Sequence, residues 1–500
     1  MDKEPISSDS ESFDIGADPG DEWQPEGGSR LRRMARRWIW ALVGAGWWLV
    51  FIAPYFGGSG NRLAWLWYPS DSALGYIGAE IQMVEAAEYL FPPGEGLLGA
   101  WFARSRDETL QWCIEIVEST SDYLGSEEAR ARLSSNPDDA DRPKLLANLA
   151  ILCGEAGDRE RMEFALRDLV RERPLMSDFA TSCRHLYSGK SPGVAELTGN
   201  DYELEFLGSY WPRWLFEQRY RGAIGDIAGE AEIRDWRLKQ GQQKGRLLLV
   251  MLAVEIGLIA VALVIAGRAF YRWRHREFAI LSERPAFPES VRQGAGIFFA
   301  GTLAGWFLYW LSSFFPGLGE AVQYQHSFVM GLPVLVTAFA LGGFREAWQR
   351  TWRDDLWSGC RAFPVIWVIY GTCFYILDIW APEDAWLDTW RETERGLTGI
   401  SAWANVVNTV IWAPLFEEIA CRWMLYGGLR KRYGVGVSAV GSSLAFALLH
   451  QYSWEGNAAV FLFGVLLCLL CERTGSWMPA VIVHAMTNLT IVLWDWVYFG

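Results

Sequence analysis

Apolar positions along the chain are gathered into long runs instead of being spread evenly. Runs close to the roughly 20 residues that cross a bilayer lie at 38–56, 247–267, 294–315, 328–344, 363–381, 400–426, 435–450, 458–471 and 477–497. The fourth, seventh and eighth are short or interrupted, so the pattern predicts eight or nine membrane spans. A polar region at about 60–245 separates the first two runs. Within it, "KLLANLAILCGEAGDRERMEFALRDLV" repeats apolar residues at helical spacing on both sides of "GEAGD", which predicts a helix–turn–helix pair. No second copy follows, so no repeat array is expected. The fold class expected is all-α: a polytopic membrane helical bundle with a mostly helical extramembrane domain between its first two spans.

Charge adds an orientation. "RLRRMARR" precedes the first run, and "RAFYRWRHR", "FREAWQRTWR" and "LRKRYG" follow the second, fourth and sixth. These basic connections alternate correctly if all are cytoplasmic. The intervening "APEDAWLDTWRETERG" is acidic on balance and falls on the other side. The N-terminus is then expected inside, and residues 57–245 outside the cytoplasm. Residues 1–29 hold nine acidic residues and one Lys, the composition of a disordered tail. The first run lacks the pattern of a cleavable signal and reads as an anchor. The organisation expected is a tail with a basic juxtamembrane segment at 1–37, an anchor at 38–56, an extracytoplasmic domain at 57–245, membrane helices at 246–399 and a membrane core at 400–497.

Composition supports the picture, with 51% hydrophobic residues, 29 Trp and a formal net charge of −14. The Trp excess suits interfacial belts. The eight Cys residues form no paired C-x-x-C set of the kind that holds a metal, and an odd number in the polar region argues against a full disulfide framework.

Chemistry concentrates in the core. "NTVIWAPLFEEIACRWMLYGG" places Glu417, Glu418 and Arg422 inside an apolar run, where each ionisable group costs a few kcal/mol unless paired or functional. Glu418 and Arg422 lie one helical turn apart and can pair. Glu417 points about 100° away and has no partner on its own helix. Pro414 just upstream removes one backbone hydrogen bond. "SSLAFALLHQ" puts Phe446 and His450 one turn apart, and "AVIVHAMTNL" does the same for His484 and Asn488. Counting along helices from the nearest basic residues gives depths of about 20 Å for Glu417, about 27 Å for His450 and about 17 Å for His484. A shared intramembrane site is consistent with those depths. Taken singly, each residue has a bland reading, as a structural ion pair or a satisfied core histidine. Taken together at these spacings, the bland reading is weak. His185, His275 and His326 read as solvated or interfacial, and Glu255 and Asp378 as helix contacts or interfacial groups.

The order E-E-x-x-x-R, F-x-x-x-H, H-x-x-x-N, each on its own hydrophobic segment, resembles the CPBP family. That family includes the type II CAAX prenyl endopeptidases and the Abi-type bacteriocin-processing proteins. The resemblance covers about 400–490, and the F-R-G usual after the glutamates is Cys421-Arg422-Trp423 here. It implies an intramembrane endopeptidase. Glu417 would activate a water, His450 would position it, and His484 and Asn488 would hold a metal or stabilise an oxyanion. Glu418 and Arg422 would orient the site. Two chemistries stay open. Zinc would draw on Glu417, His450, His484 and Asn488, a short set in which Asn is an unusual ligand. A metal-free route needs only a carboxylate that takes and returns a proton.

The partners expected are the bilayer and a protein or peptide substrate, with no nucleic acid. The extracytoplasmic domain is a candidate docking module. The preference for Arg over Lys, with an N-terminal half that resembles nothing familiar, points toward a bacterial inner (plasma) membrane. The alternatives are a non-catalytic scaffold or chaperone of the same family and a proton-linked transporter using Glu255, Glu417 and His484. H-E-x-x-H and G-x-G-D motifs are absent from the sequence.

Overall fold

The structure is a computed structural model in which the residues described are 69–90, 96–126, 142–188, 206–208, 210–274, 298, 302–305, 307, 311, 352–378, 403, 406–450, 452 and 454–499. The acidic tail, the expected spans at 38–56 and 328–344, most of that at 294–315, His275, His326 and the Asp378 side chain lie outside them. Among the described residues the chain is helical and contains no strand. Six helices, α1 (Pro69–Leu90), α2 (Gly96–Gly125), α3 (Arg142–Glu155), α4 (Arg159–Glu172), α5 (Ser177–Tyr187) and α6 (Trp211–Ile224), build the polar region. They pack around one core that includes Leu74, Ile77, Ile114, Leu149, Leu166, Phe179 and Phe216.

The expected helix pair is present as α3 and α4. Gly157 turns the chain at φ +75°, a conformation open to glycine. Asp158 then caps α4 by accepting from the Arg161 N–H at 3.1 Å, satisfying one of the donors left at a helix start. The close approach of Tyr187 to this corner depends on Gly154, whose added Cβ would lie 2.6 Å from the ring.

Helix α7 (Ile227–Arg274) continues from this domain into the membrane. At about 1.5 Å per residue it is some 70 Å long. The boundary drawn at 245/246 from hydropathy therefore falls inside one helix, because polar and apolar composition change there while helix propensity does not. "RLKQGQQKGR" is rich in good helix formers. Its two glycines stay in the helix because both face α1. A Cβ on Gly241 would lie 3.6 Å from the Glu85 carbonyl, and one on Gly245 would lie 3.2 Å from that of Ala86.

The membrane part adds α8 (Trp352–Asp378), α10 (Val435–His450), α11 (Trp454–Thr474) and α12 (Met478–Phe499). Between α8 and α10 runs a continuous helix, α9, made of the consecutive segments Asn408–Trp412, Ala413–Glu418, Ile419–Tyr426 and Gly427–Arg430. Among the described residues four helices are long and apolar enough to cross a bilayer, spanning Ile227–Arg272, Trp352–Leu377, Gly456–Thr474 and Met478–Val497. Val435–His450 is apolar but shorter.

The far end of α12 touches α1 of the polar domain. The turns after α9 and α11 therefore lie at the opposite end of the bundle. That end is pinned by the buried Glu472, which accepts from Tyr426 Oη at 2.5 Å and Arg430 Nε at 2.6 Å. Close crossings bring the helices together. A Cβ on Gly464 of α11 would meet Ser443 of α10 at 2.9 Å, and one on Gly359 of α8 would meet Ile482 of α12 at 2.7 Å. Small residues at such crossings let helix backbones approach in a membrane, where packing replaces the hydrophobic drive.

Glu255 sits at the junction of three helices. Its two carboxylate oxygens accept from Trp367 Nε1 of α8 at 2.8 Å and from Trp494 Nε1 of α12 at 2.9 Å. It is a helix contact, as expected, and it fastens the domain-bearing helix to the bundle. Replacing it (Glu255→Leu) strands two indole donors, each worth about 1–3 kcal/mol when left without an acceptor. The thermal unfolding midpoint of the full chain in detergent should fall, with Glu255→Gln, which keeps one acceptor, falling less.

In the polar domain, burial raises the Glu80 carboxyl from 4.5 to about 7, opposed only in part by a hydrogen bond from Tyr76. The folded state then holds a proton that the unfolded chain releases above 4.5. Stability attached to Glu80 is complete below that pH and is lost as pH rises toward 7, by about 3 kcal/mol. A Glu80→Gln variant should flatten this part of the pH–stability curve, measured by denaturation of the full chain between pH 4 and 8.

Candidate active site

The site begins with an irregular helix. In α9, segments Asn408–Trp412 and Ile419–Tyr426 are wound as π-helix, on either side of the α-helical Ala413–Glu418. In the first of them the Ala413 N–H reaches back five residues to the Asn408 carbonyl. Such bulges are short, strained and common at functional sites. Pro414 follows immediately and has no N–H to give. Within Ala413–Glu418, adjacent positions point about 100° apart, so Glu417 and Glu418 meet different environments. Glu418 is fully buried, whereas the Glu417 side chain keeps 28% of its surface exposed.

Glu418 lies between two basic side chains. Its Oε2 is 3.0 Å from Arg422 Nε on the same helix. Its Oε1 is 2.8 Å from His484 Nδ1 on α12. Arg422 is itself fully buried. Its guanidinium stacks over the Phe446 ring at 4.3 Å, and Nη2 points at the Gly464 carbonyl at 3.5 Å. A buried pair of this kind gives little net stability, but removing one member costs about 3–5 kcal/mol, because the other charge is left uncompensated.

Glu417 faces both imidazoles. Its Oε2 lies 3.7 Å from His484 Nε2 and 3.9 Å from His450 Nε2. Each ring is fixed by its other nitrogen. His450 Nδ1 lies 2.8 Å from the Phe446 carbonyl, one turn back on α10. A carbonyl only accepts, so Nδ1 carries the proton. His484 Nδ1 meets a carboxylate by the same logic. In their neutral forms both rings therefore turn an Nε2 lone pair toward Glu417. Phe446 packs edge-on against both, at 4.7 Å from His450 and 5.9 Å from His484. Phe463 of α11 closes on His484 from another side at 5.4 Å.

Three acceptors thus converge at distances too long for direct hydrogen bonds and right for a bridging donor. As a metal site the set fits poorly. Among the described residues no group of three or more His, Cys, Asp or Glu side chains is arranged to hold an ion. The Asn488 amide, the remaining zinc ligand expected, gives Nδ2 to the Thr409 carbonyl of α9 at 2.8 Å. The structure therefore brings together Glu417, Glu418, Arg422, His450 and His484, and places Asn488 one turn further along α12 on the backbone of α9. Sequence reasoning missed the Glu418–His484 bond, the role of Phe446 as the surface on which Arg422 and both imidazoles rest, and Phe463. Only Phe446 left a trace, in its one-turn spacing from His450.

The Glu418–Arg422 pair yields a test. Arg422→Met alone should lower the unfolding midpoint sharply, by about 3–5 kcal/mol of stability. Arg422→Met combined with Glu418→Gln should recover much of that loss, as read by a double-mutant cycle of thermal unfolding.

Residues 399–490 match the family model described as Type II CAAX prenyl endopeptidase Rce1-like. This stretch, under a fifth of the chain, is similar to an Rce1-like domain, and it contains all six residues singled out from the sequence. No curated protein and no solved structure matches the chain.

Proposed function

We propose that this protein is an intramembrane endopeptidase that hydrolyses a peptide bond in a membrane-associated protein or peptide, with Glu417 as the general base. The observation that carries the reading is the convergence of Glu417 Oε2 with the Nε2 atoms of His484 and His450 at 3.7 and 3.9 Å. A water with two O–H donors fits between a carboxylate and an imidazole at that spacing. Glu417 takes one proton from it, and the oxygen attacks the scissile carbonyl carbon to form a C–O bond. The proton held by Glu417 passes to the leaving nitrogen as the C–N bond breaks, so that water is divided between the new acid and the new amine.

His450, held by the Phe446 carbonyl, orients the water. His484, fixed by the Glu418 carboxylate, is the group beside the substrate oxygen as charge builds on it. Arg422 offsets the Glu418 charge when His484 is neutral. No step requires a metal. The Rce1-like match supports protease activity. The bilayer and a peptide segment are the partners this reading needs, and the helical domain of 69–224 is a candidate docking module.

The transporter alternative draws on Glu255 as a relay group. That carboxylate is held by two indole N–H groups, and its partner Trp494 stands about 15 Å along α12 from His484. This arrangement favours a structural tie over a proton path.

The test is a comparison of membrane proteomes from cells carrying the wild-type protein, Glu417→Gln and His450→Ala. Uncleaved precursors should accumulate in both variants, with at least about 100-fold less turnover, the usual contribution of a general acid or base. Normal insertion with no precursor in either variant sinks the protease reading and leaves the scaffold reading.

A further inference from the structure

We propose that Asn488 is a positioning residue that supplies, from α12, the hydrogen bond that Pro414 withholds from α9. The register of the first π-helical segment is set by Ala413 N–H reaching the Asn408 carbonyl, five residues back. The next bond in that register would run from residue 414 to the carbonyl of Thr409. Residue 414 is proline and has no N–H. At that carbonyl the Asn488 amide nitrogen donates instead, at 2.8 Å. A backbone carbonyl within the membrane needs a donor, and water is scarce there.

The consequence reaches the site through the helix. Asn488 lies one turn after His484 on α12 and Glu417 lies two turns after Thr409 on α9. The clip therefore fixes how far α9 slides and rotates against α12, and with it the 3.7 Å spacing of Glu417 from His484. The bulge and the proline leave α9 without a stiff internal register at this point, so a bond from outside the helix sets it. On this account Asn488 acts through α9 and does not touch the reacting atoms. One N–H of its amide is held by the Thr409 carbonyl. The inference rests on the reading of Glu417 and His484 as the reacting pair, but its test requires no turnover.

The test is a double-mutant cycle on the full chain in detergent, using Pro414→Ala to restore an N–H at residue 414. Two readouts are taken. One is the thermal unfolding midpoint. The other is the imidazole ¹⁵N spectrum of histidine-labelled protein, tractable because the chain has five histidines. Asn488→Ala in the wild-type background should lower the midpoint and move the His484 resonances. In the Pro414→Ala background the same change should have about half the effect or less on both, since coupled residues depart from additivity. Asn488→Gln, which keeps a donor, should fall between wild type and Asn488→Ala, and Asn488→Leu, which keeps bulk and has no donor, takes the place of Asn488→Ala if that variant does not fold. Equal effects of Asn488→Ala in both backgrounds, or no movement of His484 in either, overturns the proposal. A coupled result with no protease activity leaves the clip standing and removes the proposed function, so the two failures are distinguishable.

Discussion

Everything in the membrane core depends on one fully buried carboxylate. Glu418 has no surface exposed to solvent, and Arg422 and His484 meet it there, from its own helix and from α12. Two elements of the fold serve that contact. The π-wound α9 carries Glu418 and Arg422 at facing positions, and the crossing of α10 with α11 at Gly464 brings Phe446 under the guanidinium. With Glu418 fixed, the His484 ring has one orientation, and its Nε2 faces Glu417. The two adjacent glutamates, alike in sequence, are thereby separated by environment. One is sealed and paired, the other half-open and set opposite two imidazoles. Separation of like groups by surroundings is a common route to distinct acid–base roles.

The same logic links the site to the rest of the chain. Helix α7 carries the polar domain down to Glu255, and Glu255 is held by Trp494 on the helix that presents His484 and Asn488. The extramembrane domain and the site are therefore joined by rigid elements. Helix α7 runs from the domain into the bundle without a break.

Much of this was legible in the sequence, and the limits have physical causes. Glu418 and Arg422 could be paired because both sit on one helix, and one-turn spacing is a local rule. The α3–α4 pair was legible for the same reason, since Gly157 and Asp158 mark a turn and a cap. The order of the three motifs was enough to find the Rce1-like domain. What could not be read depends on how helices rotate against one another. The Glu418–His484 bond spans 66 positions, and the indole partners of Glu255 lie 112 and 239 positions away. The π-bulges change helical phase without changing composition, so the bond from Asn488 to the Thr409 carbonyl of α9 could not be read from spacing. That α7 runs unbroken through 245/246 could not be read, because hydropathy marks a change of surroundings and not the end of a helix.

The central claim is that Glu418 holds the His484 proton on Nδ1 and so leaves Nε2 to face Glu417. The most direct measurement is the tautomer of His484, read from its imidazole ¹⁵N resonances in the labelled, membrane-reconstituted protein. The account predicts a protonated Nδ1 that moves on Glu418→Gln and a bare Nε2 that moves on Glu417→Gln. A bare Nδ1 with the proton on Nε2, unchanged by either substitution, would contradict it.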